Sequence, residues 1–587
     1  MPHWVSRQWR VLGATRHAFH TRTYRPTGQW CAATYGAAIR TYVLQSGEIQ
    51  SEFLPIRNIN SAIIIPRSVH TTTPDDLIQH IKPLHKHSFR KTTFPVFLLT
   101  PAFATWLLDD QTFLQKALHQ AFNDVFQTSQ SYKRLHVLVA VVDKLPTPQS
   151  IGNPRALLEE AFQRTQNPQV SDSGHEGMAY AFLSSAHVVN PPLRSISDVG
   201  NGSLSFTMVR SHEKGEYRDV FELPLANTVF QTGSATTMNL STWHRVRGNK
   251  ALQLLSKSSP NHHGIAIDGD GKARTTSALS IPLVPLTVPR RVEESMGNIV
   301  RRISDADEKA VTASEELEKV VPQYLKSRDE PAQTISVWAL VIPKGSVQFI
   351  TDESMQLLDV ARKRTDLRES HSVLNSWQAL WSCNPPLPNQ LVTAALMRNA
   401  RLHRVLSGGG GWGKKAGLLS LEPGISQNDW TMLSTDNQDQ LSDLQDLSSA
   451  LNTVVQPGDS IQFFVSPSAS KAGTNGFSEA SKAHRQFQAQ SPLWTWEIGT
   501  IPSTIDCTPS TSLRQGTSDT NDVFVFRNSF GALSEEGMQV TRQFRTKATK
   551  EWGPREGTKI DVPFSRFSLV NIDDLVPLKI SQKTMFH

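Results

Sequence analysis

The chain has 587 residues, 38% hydrophobic content, 19% charged residues and thirteen tryptophans, the composition of a globular protein with a large core and too much chain for one domain. Its three cysteines, Cys31, Cys383 and Cys507, are too few and too far apart for a disulfide framework or a cysteine-based zinc module, and they fit a reducing compartment. The net charge of +7 is concentrated in two stretches, so the basic balance does not argue for nucleic acid binding across the whole molecule.

The first basic stretch is the leader. No acidic residue precedes Glu48, whereas Arg7, Arg10, Arg16, Arg22, Arg25 and Arg40 all do. Residues 1–24, rich in Arg, His and Thr, fit a mitochondrial transit peptide. Trp4, Val5, Val11 and Leu12 form the apolar side of a short helix, and Arg22-Thr23-Tyr24 resembles a presequence cleavage site. Ser6 is the one serine there, fewer than such peptides usually carry, and a disordered basic tail is the other reading. Residues 25–47 read as a linker. A spanning helix needs about 18–20 apolar residues in succession. The best runs, 94–108 and 279–288, are shorter and interrupted by Pro101, Pro282 and Pro285. The expected address is the mitochondrial matrix, without a membrane span.

Ser61-Ala62-Ile63-Ile64-Ile65 reads as a buried strand stopped by Pro66. His80, His85 and His87 follow, with Asp75 and Asp76 nearby. Their spacing matches no zinc pattern, and a solvated polar segment is the reading taken. Phe94-Pro95-Val96-Phe97-Leu98-Leu99-Thr100 is an apolar strand. Behind it, Phe113/Leu114, Ala117/Leu118, Ala121/Phe122 and Val125/Phe126 recur every four residues and give a helix one apolar face. Leu135-His136-Val137-Leu138-Val139-Ala140-Val141-Val142 is hydrophobic on both faces. Strand, helix and strand at this spacing predict a βαβ crossover with a parallel strand pair.

Ligands in open α/β sheets sit outside the carboxyl ends of strands, which makes Thr100 and Asp143 candidate site residues. Asp143 suits a general base or a ribose ligand. The structural alternatives are that Thr100 ends its strand before Pro101 and that Asp143 caps the turn before Pro146. A short helix over 154–165 is followed by strands near 178–183, 204–209, 220–225 and 277–286, with turn signals at Gly200-Asn201-Gly202 and Asp268-Gly269-Asp270-Gly271. The second signal is no calcium loop, because Lys272 and Leu279 occupy later ligand positions.

Over 292–320, Val292, Met296, Ile299, Ile303, Ala306, Ala310, Ala313, Leu317 and Val320 alternate steps of four and three. That is a heptad seam, bounded by Pro289 and Pro322. It predicts a long amphipathic helix over 290–326, packed between two halves or offered to a partner. Ile335-Ser336-Val337-Trp338-Ala339-Leu340-Val341-Ile342 then opens the second half as a strand. Helices are predicted over 352–361, 388–406 and 436–454, a strand over 460–465, a polar stretch over 502–522 and a strand over 523–526. The fold class is therefore α/β in the mixed α+β sense. Its parts are a βαβ-containing domain over 48–289 with a β-rich second half, a long linking helix, and a second mixed domain over 332–587.

The second basic stretch lies over 370–421, which holds no Asp or Glu. Arg398, Arg401 and Arg404 fall along one flank of the predicted 388–406 helix. Gly408-Gly409-Gly410-Gly411-Trp412-Gly413-Lys414-Lys415 follows. Gly408, Gly413 and Lys414 match the start of a phosphate-loop pattern, but Lys415 stands where Ser or Thr should hold magnesium. A helix leading into the loop would also present its negative end to an anion. Two readings remain. Gly408 caps the helix and the other glycines make a turn; or consecutive amides, both lysines and the Trp412 ring form an anion nest.

Three functions are compatible with these residues. The first is a matrix protein binding RNA or a ribosomal surface through the basic glycine loop, in mitochondrial gene expression. The second is an enzyme acting on a small phosphorylated or acidic substrate, with Thr100 or Asp143 at a strand end and the glycine loop as a lid. The third is a scaffold using the 292–320 helix. No nucleophile–base pair, metal ligand set or cofactor motif stands out.

Overall fold

A computed structural model describes residues 60–85, 89, 93–128, 134–148, 173–184, 188–189, 202–212, 215–245, 252–266, 275–305, 308–364, 373–384, 386–387, 389–408, 417–423, 454–467, 480–481, 483–484, 495–503, 523–546, 552–553 and 556–571. The leader 1–24, the linker 25–47, the helix expected over 154–165, all but the last residue of the helix expected over 436–454, the 268–271 turn and most of 502–522 lie outside the described residues. The chain is a mixed α+β protein built on four sheets, with strands far outnumbering helices among the described residues.

The βαβ crossover forms as its residues dictate. Thr93–Leu99 and Arg134–Val141 run parallel, Val96 beside Leu138 and Leu99 beside Val141, joined by the helix Leu114–Thr128. Alternate side chains of each strand enter different cores. Phe97, Leu99, Val137, Val139 and Val141 pack under the helix residues Leu114, Ala117, Leu118, Ala121 and Phe122. Val96, Leu98, Leu138 and Ala140 face a second core on the opposite side. Both faces are thus dry over 94–99 and 137–141, which is why those stretches are apolar at every position, while Arg134 and His136 at the strand's start are exposed. The sheet has seven strands, ordered Val523–Arg527, Ser61–Pro66, Met178–Ser184, Thr93–Leu99, Arg134–Val141, Met238–Arg245 and Leu252–Ser258.

A six-stranded sheet runs Glu556–Ile560, Met538–Thr546, Gly215–Pro224, Ser203–His212, His262–Ala266 and Val188–Val189. A four-stranded sheet runs Thr275–Ser280, Arg566–Asn571, Thr495–Thr500 and Ser529–Ser534, and its last two strands are parallel, as are Ser203–His212 and His262–Ala266 in the six-stranded sheet. The fourth sheet closes on itself. Ser460–Val465, Arg290–Met296, Ile299–Ser304, Leu419–Leu421, Arg401–Gly408 and Val337–Ile342 pair antiparallel in a ring, the last returning to Ser460–Val465. Closure leaves these strands no open edge. Ala313–Ser327, Val347–Arg364, Val373–Trp381 and Leu391–Leu396 are helices, and apolar residues of each belong to the same core as the barrel strands.

Three expectations need correction. The long helix over 290–326 does not form, so the 292–320 seam offers no single helix to a partner. Instead, Arg290–Met296 and Ile299–Ser304 are a hairpin turning at Gly297-Asn298, Ala310–Thr312 is a third strand, and helix begins only at Ala313. A step of four residues fits the two-residue period of a strand as well as a helix. The odd step from Met296 to Ile299 is where a Gly-Asn turn intervenes, with Gly297 at φ 61°. Pro322 lies inside the helix Ala313–Ser327 and does not end it.

The helix expected over 388–406 stops at Leu396. Asn399 adopts φ 64°, and Arg401–Gly408 continues as a barrel strand. Finally, the division into 48–289 and 332–587 does not separate the sheets, because each of the four contains strands from both spans. No helix among the described residues is long and apolar enough to cross a membrane.

Candidate functional site

A cleft of about 480 Å³ opens where the barrel meets the ends of the six-stranded and four-stranded sheets. That volume falls within the roughly 300–1,000 Å³ usual for small-molecule sites. The barrel contributes Ser336, Trp338, Arg404, Leu406 and Glu422, and the sheets contribute Ile501, Ser503, Met538, Gln539, Lys559 and Asp561. The turn Glu535-Glu536-Gly537 forms part of the remaining wall.

Strand register explains why these side chains converge. Trp338 lies directly opposite Arg404 in the barrel, so both project from one face. Both meet Asp561, just beyond the strand Glu556–Ile560. The Trp338 indole Nε1 donates to Asp561 Oδ1 at 2.6 Å, while Arg404 Nη1 stands 3.8 Å from Oδ2. Arg404 Nη2 donates to Ser336 Oγ at 3.1 Å. Lys559 Nζ donates to Glu422 Oε1 at 2.9 Å, and the Glu422 amide donates to the Arg404 carbonyl at 2.7 Å.

Burial pushes the Asp561 carboxyl above the usual carboxylate range, and the Trp338 hydrogen bond opposes that shift. On the other face of the Arg404 strand, His403 donates from Nδ1 to the Glu422 carbonyl at 3.0 Å. Burial, then the charge of Arg401, drives its imidazole down to about 4, so it is neutral at pH 7.

The anion-binding residues expected from the sequence are partly dispersed. Arg398 stacks its guanidinium 3.5 Å above the Phe349 ring and donates to the Ala394 carbonyl at 3.3 Å. Arg401 donates to the Val454 carbonyl at 2.8 Å, and its pairing with Val341 sets it on the strand face opposite Arg404. Only Arg404 of the three lines the cleft. Gly408 ends the strand opposite Leu419, so the glycine run connects two neighbouring barrel strands and does not follow a helix. Gly409, Gly410, Gly411, Trp412, Gly413, Lys414 and Lys415 lie outside the described residues.

The two strand-end candidates are both held by the protein's own backbone. Thr100 is fully buried; its Oγ1 accepts from the Gly177 amide at 2.9 Å and donates to the Gly177 carbonyl at 3.3 Å. Asp143 Oδ2 accepts from the Glu535 amide at 2.9 Å. Burial, partly opposed by that hydrogen bond, pushes its carboxyl up to about 6. Asp143 therefore supports the turn that walls the cleft. His87 lies outside the described residues, and no metal-binding cluster occurs among those described.

The rule that ligands meet the carboxyl ends of parallel strands fits the parallel pair of the four-stranded sheet. Ile501 and Glu535 directly follow Thr495–Thr500 and Ser529–Ser534, and both line the cleft. Sequence reasoning applied that rule to the first pair and missed Trp338, Glu422, Glu535, Lys559 and Asp561. The one local signal was the turn composition of Glu535-Glu536-Gly537 after an apolar strand. No family model, no curated protein and no solved structure matches this chain.

Proposed function

We propose that the protein binds a small molecule bearing an acidic group in the cleft between barrel and sheets, and that it does so in the mitochondrial matrix. The observation that carries this reading is Arg404. It projects into a cleft of ligand size at 44% side-chain exposure, and its nearest carboxylate is 3.8 Å away, beyond hydrogen-bonding range. A guanidinium with spare donors in a concave site is suited to a carboxylate or phosphate. The leader composition supports the address. Calorimetric titration with succinate and with a phosphate monoester such as glycerol 3-phosphate tests the reading. Binding that Arg404→Gln weakens at least tenfold is expected, and equal binding by both proteins would sink it.

A second reading, RNA or a ribosomal surface, rests on Lys414, Lys415 and Trp412 in the acid-free stretch. Against it, Arg398 and Arg401 are turned to internal partners, and the cleft carries Glu422, Glu535, Glu536 and Asp561 against Arg404 and Lys559. A polyuridine filter assay separates the two. RNA binding would weaken steeply with salt and depend on Lys414 and Lys415. Small-ligand binding would depend on Arg404.

A further inference from the structure

Resting on the small-ligand reading, we infer that the cleft selects a hydroxylated acid, one acidic group with alcohol groups beside it, as in a sugar acid or a sugar phosphate. Donors and acceptors stand close together in the cleft. Arg404 Nη1 and Asp561 Oδ2 are 3.8 Å apart, too far for a direct hydrogen bond. One oxygen about 2.8 Å from each would bridge them. The other Asp561 oxygen is taken by the Trp338 indole at 2.6 Å. Arg404 gives Nη2 to Ser336, and a guanidinium has N–H groups enough left for an acidic oxygen and a hydroxyl together. Gln539 supplies a further acceptor. It lines the cleft beside Lys559, its partner across two strands, and its Oε1 is buried with no donor among the described residues.

A hydroxyl both donates and accepts, so it can satisfy Asp561 or Gln539 and a neighbouring cation at once. An ammonium only donates and would leave the Arg404 N–H groups unmet. A second carboxylate only accepts and would meet Asp561 as a like charge. The charge balance agrees. Lys559 is matched by Glu422 at 2.9 Å, and Arg404 has Asp561 beside it. Glu535 and Glu536 add negative charge to the same cavity, which disfavours a second acidic group on the ligand but not neutral hydroxyls. Burial raises the Asp561 carboxyl above its ordinary range. A hydroxyl pairs with that carboxyl in either protonation state, whereas a cation pairs only with the ionised one. A site built around such contacts rejects analogues that lack the hydroxyl.

The test is calorimetric titration with two matched sets of probes. One compares glycerol 3-phosphate with propyl phosphate and 3-aminopropyl phosphate; the other compares glycerate with propionate and β-alanine. In at least one set the hydroxylated acid is expected to bind at least tenfold more tightly than both relatives. The set that does so identifies the acidic group as phosphate or carboxylate. Asp561→Asn keeps an acceptor for Trp338 but loses the one beside Arg404, and it should shrink that ratio. Gln539→Met should shrink it independently. Each comparison is a ratio within one variant, so partial misfolding does not imitate it. If in neither set the hydroxylated acid exceeds its relatives, and binding still needs Arg404, the hydroxyl inference fails while the acidic-ligand reading stands. A ratio unchanged in both variants sinks the inference in the same way. If no probe binds at millimolar concentration, both fail.

Discussion

Asp219 and Arg542 face each other across two adjacent strands as a two-pronged ion pair, Nε to Oδ1 at 2.6 Å and Nη2 to Oδ2 at 3.1 Å, with the carboxylate 1% exposed. The same guanidinium donates to Met397 Sδ at 3.0 Å, so the pair also ties the six-stranded sheet to the end of the Leu391–Leu396 helix. Removing one partner leaves a buried charge uncompensated, at a cost of about 3–5 kcal/mol. Asp219→Ala and Arg542→Ala should each lower the thermal midpoint strongly. The double variant should lose clearly less than the sum. Additive losses in scanning calorimetry would show that the pair is not coupled.

The Asp143 carboxyl has a folded-state pKa of about 6, raised from its ordinary value by burial. A raised pKa favours the folded state most below the unfolded value, and that stabilisation is lost as pH rises through the folded value. Asp143 is therefore a liability at pH 7.5, on the order of 2–3 kcal/mol from the size of the shift. Asp143→Asn keeps an acceptor for the Glu535 amide without the charge. Its thermal midpoint should exceed that of the native protein at pH 7.5, and the two should converge near pH 4. A midpoint difference that does not change with pH would contradict the assignment.

His403 has the opposite sign. Its folded value of about 4 lies below the ordinary histidine value, so the stability it contributes is present above the unfolded value and lost as pH falls toward 4. His263, stacked on Phe94 and likewise lowered to about 4 by burial, behaves the same way. His403→Leu gives up the bond to the Glu422 carbonyl and should be less stable than the native protein at pH 7.5. It should nevertheless lose less stability between pH 7 and pH 4.5. Parallel pH profiles for the two proteins would rule out a role for this imidazole in acid sensitivity.

Gly297 turns the barrel hairpin at φ 61°, and its carbonyl accepts from the Val454 and Val455 amides, both at 3.2 Å. A β-branched residue is strained in that conformation, whereas asparagine tolerates it. Gly297→Val should destabilise by about 1–2 kcal/mol, and Gly297→Asn by much less. Equal melting of the two variants would mean that the turn conformation is not what the glycine serves.

How far the sequence could be read depended on how local the determining contacts are. The crossover over 93–141 was legible because Leu98 and Leu99 fill different cores and Ala117, Leu118, Ala121 and Phe122 repeat at helical spacing. Around 391–406 the apolar steps of Leu391, Ala395, Leu402 and Leu406 hid a change of structure at Asn399, because Leu402 and Leu406 also share a strand face. The cleft left little local trace beyond Arg404 in the acid-free stretch and the Glu535-Glu536-Gly537 turn. Trp338, Arg404, Glu422 and Asp561 come from four separated stretches of chain, brought together by strand pairings and contacts that periodicity does not record.

Ser61–Pro66, buried at all six positions, is flanked by Met178–Ser184 on one side and by Val523–Arg527 on the other. After Pro66, more than 450 further residues must be synthesised before that second neighbour exists. Until then Ala62, Ile63, Ile64 and Ile65 present a bare hydrophobic ribbon, the kind of edge that recruits strands from other chains. A premature stop anywhere upstream of Val523 would therefore yield no smaller working protein. It would yield a sticky product for quality-control proteases to clear, and a nascent chain that depends on chaperones until Val523–Arg527, within its last 65 residues, is made.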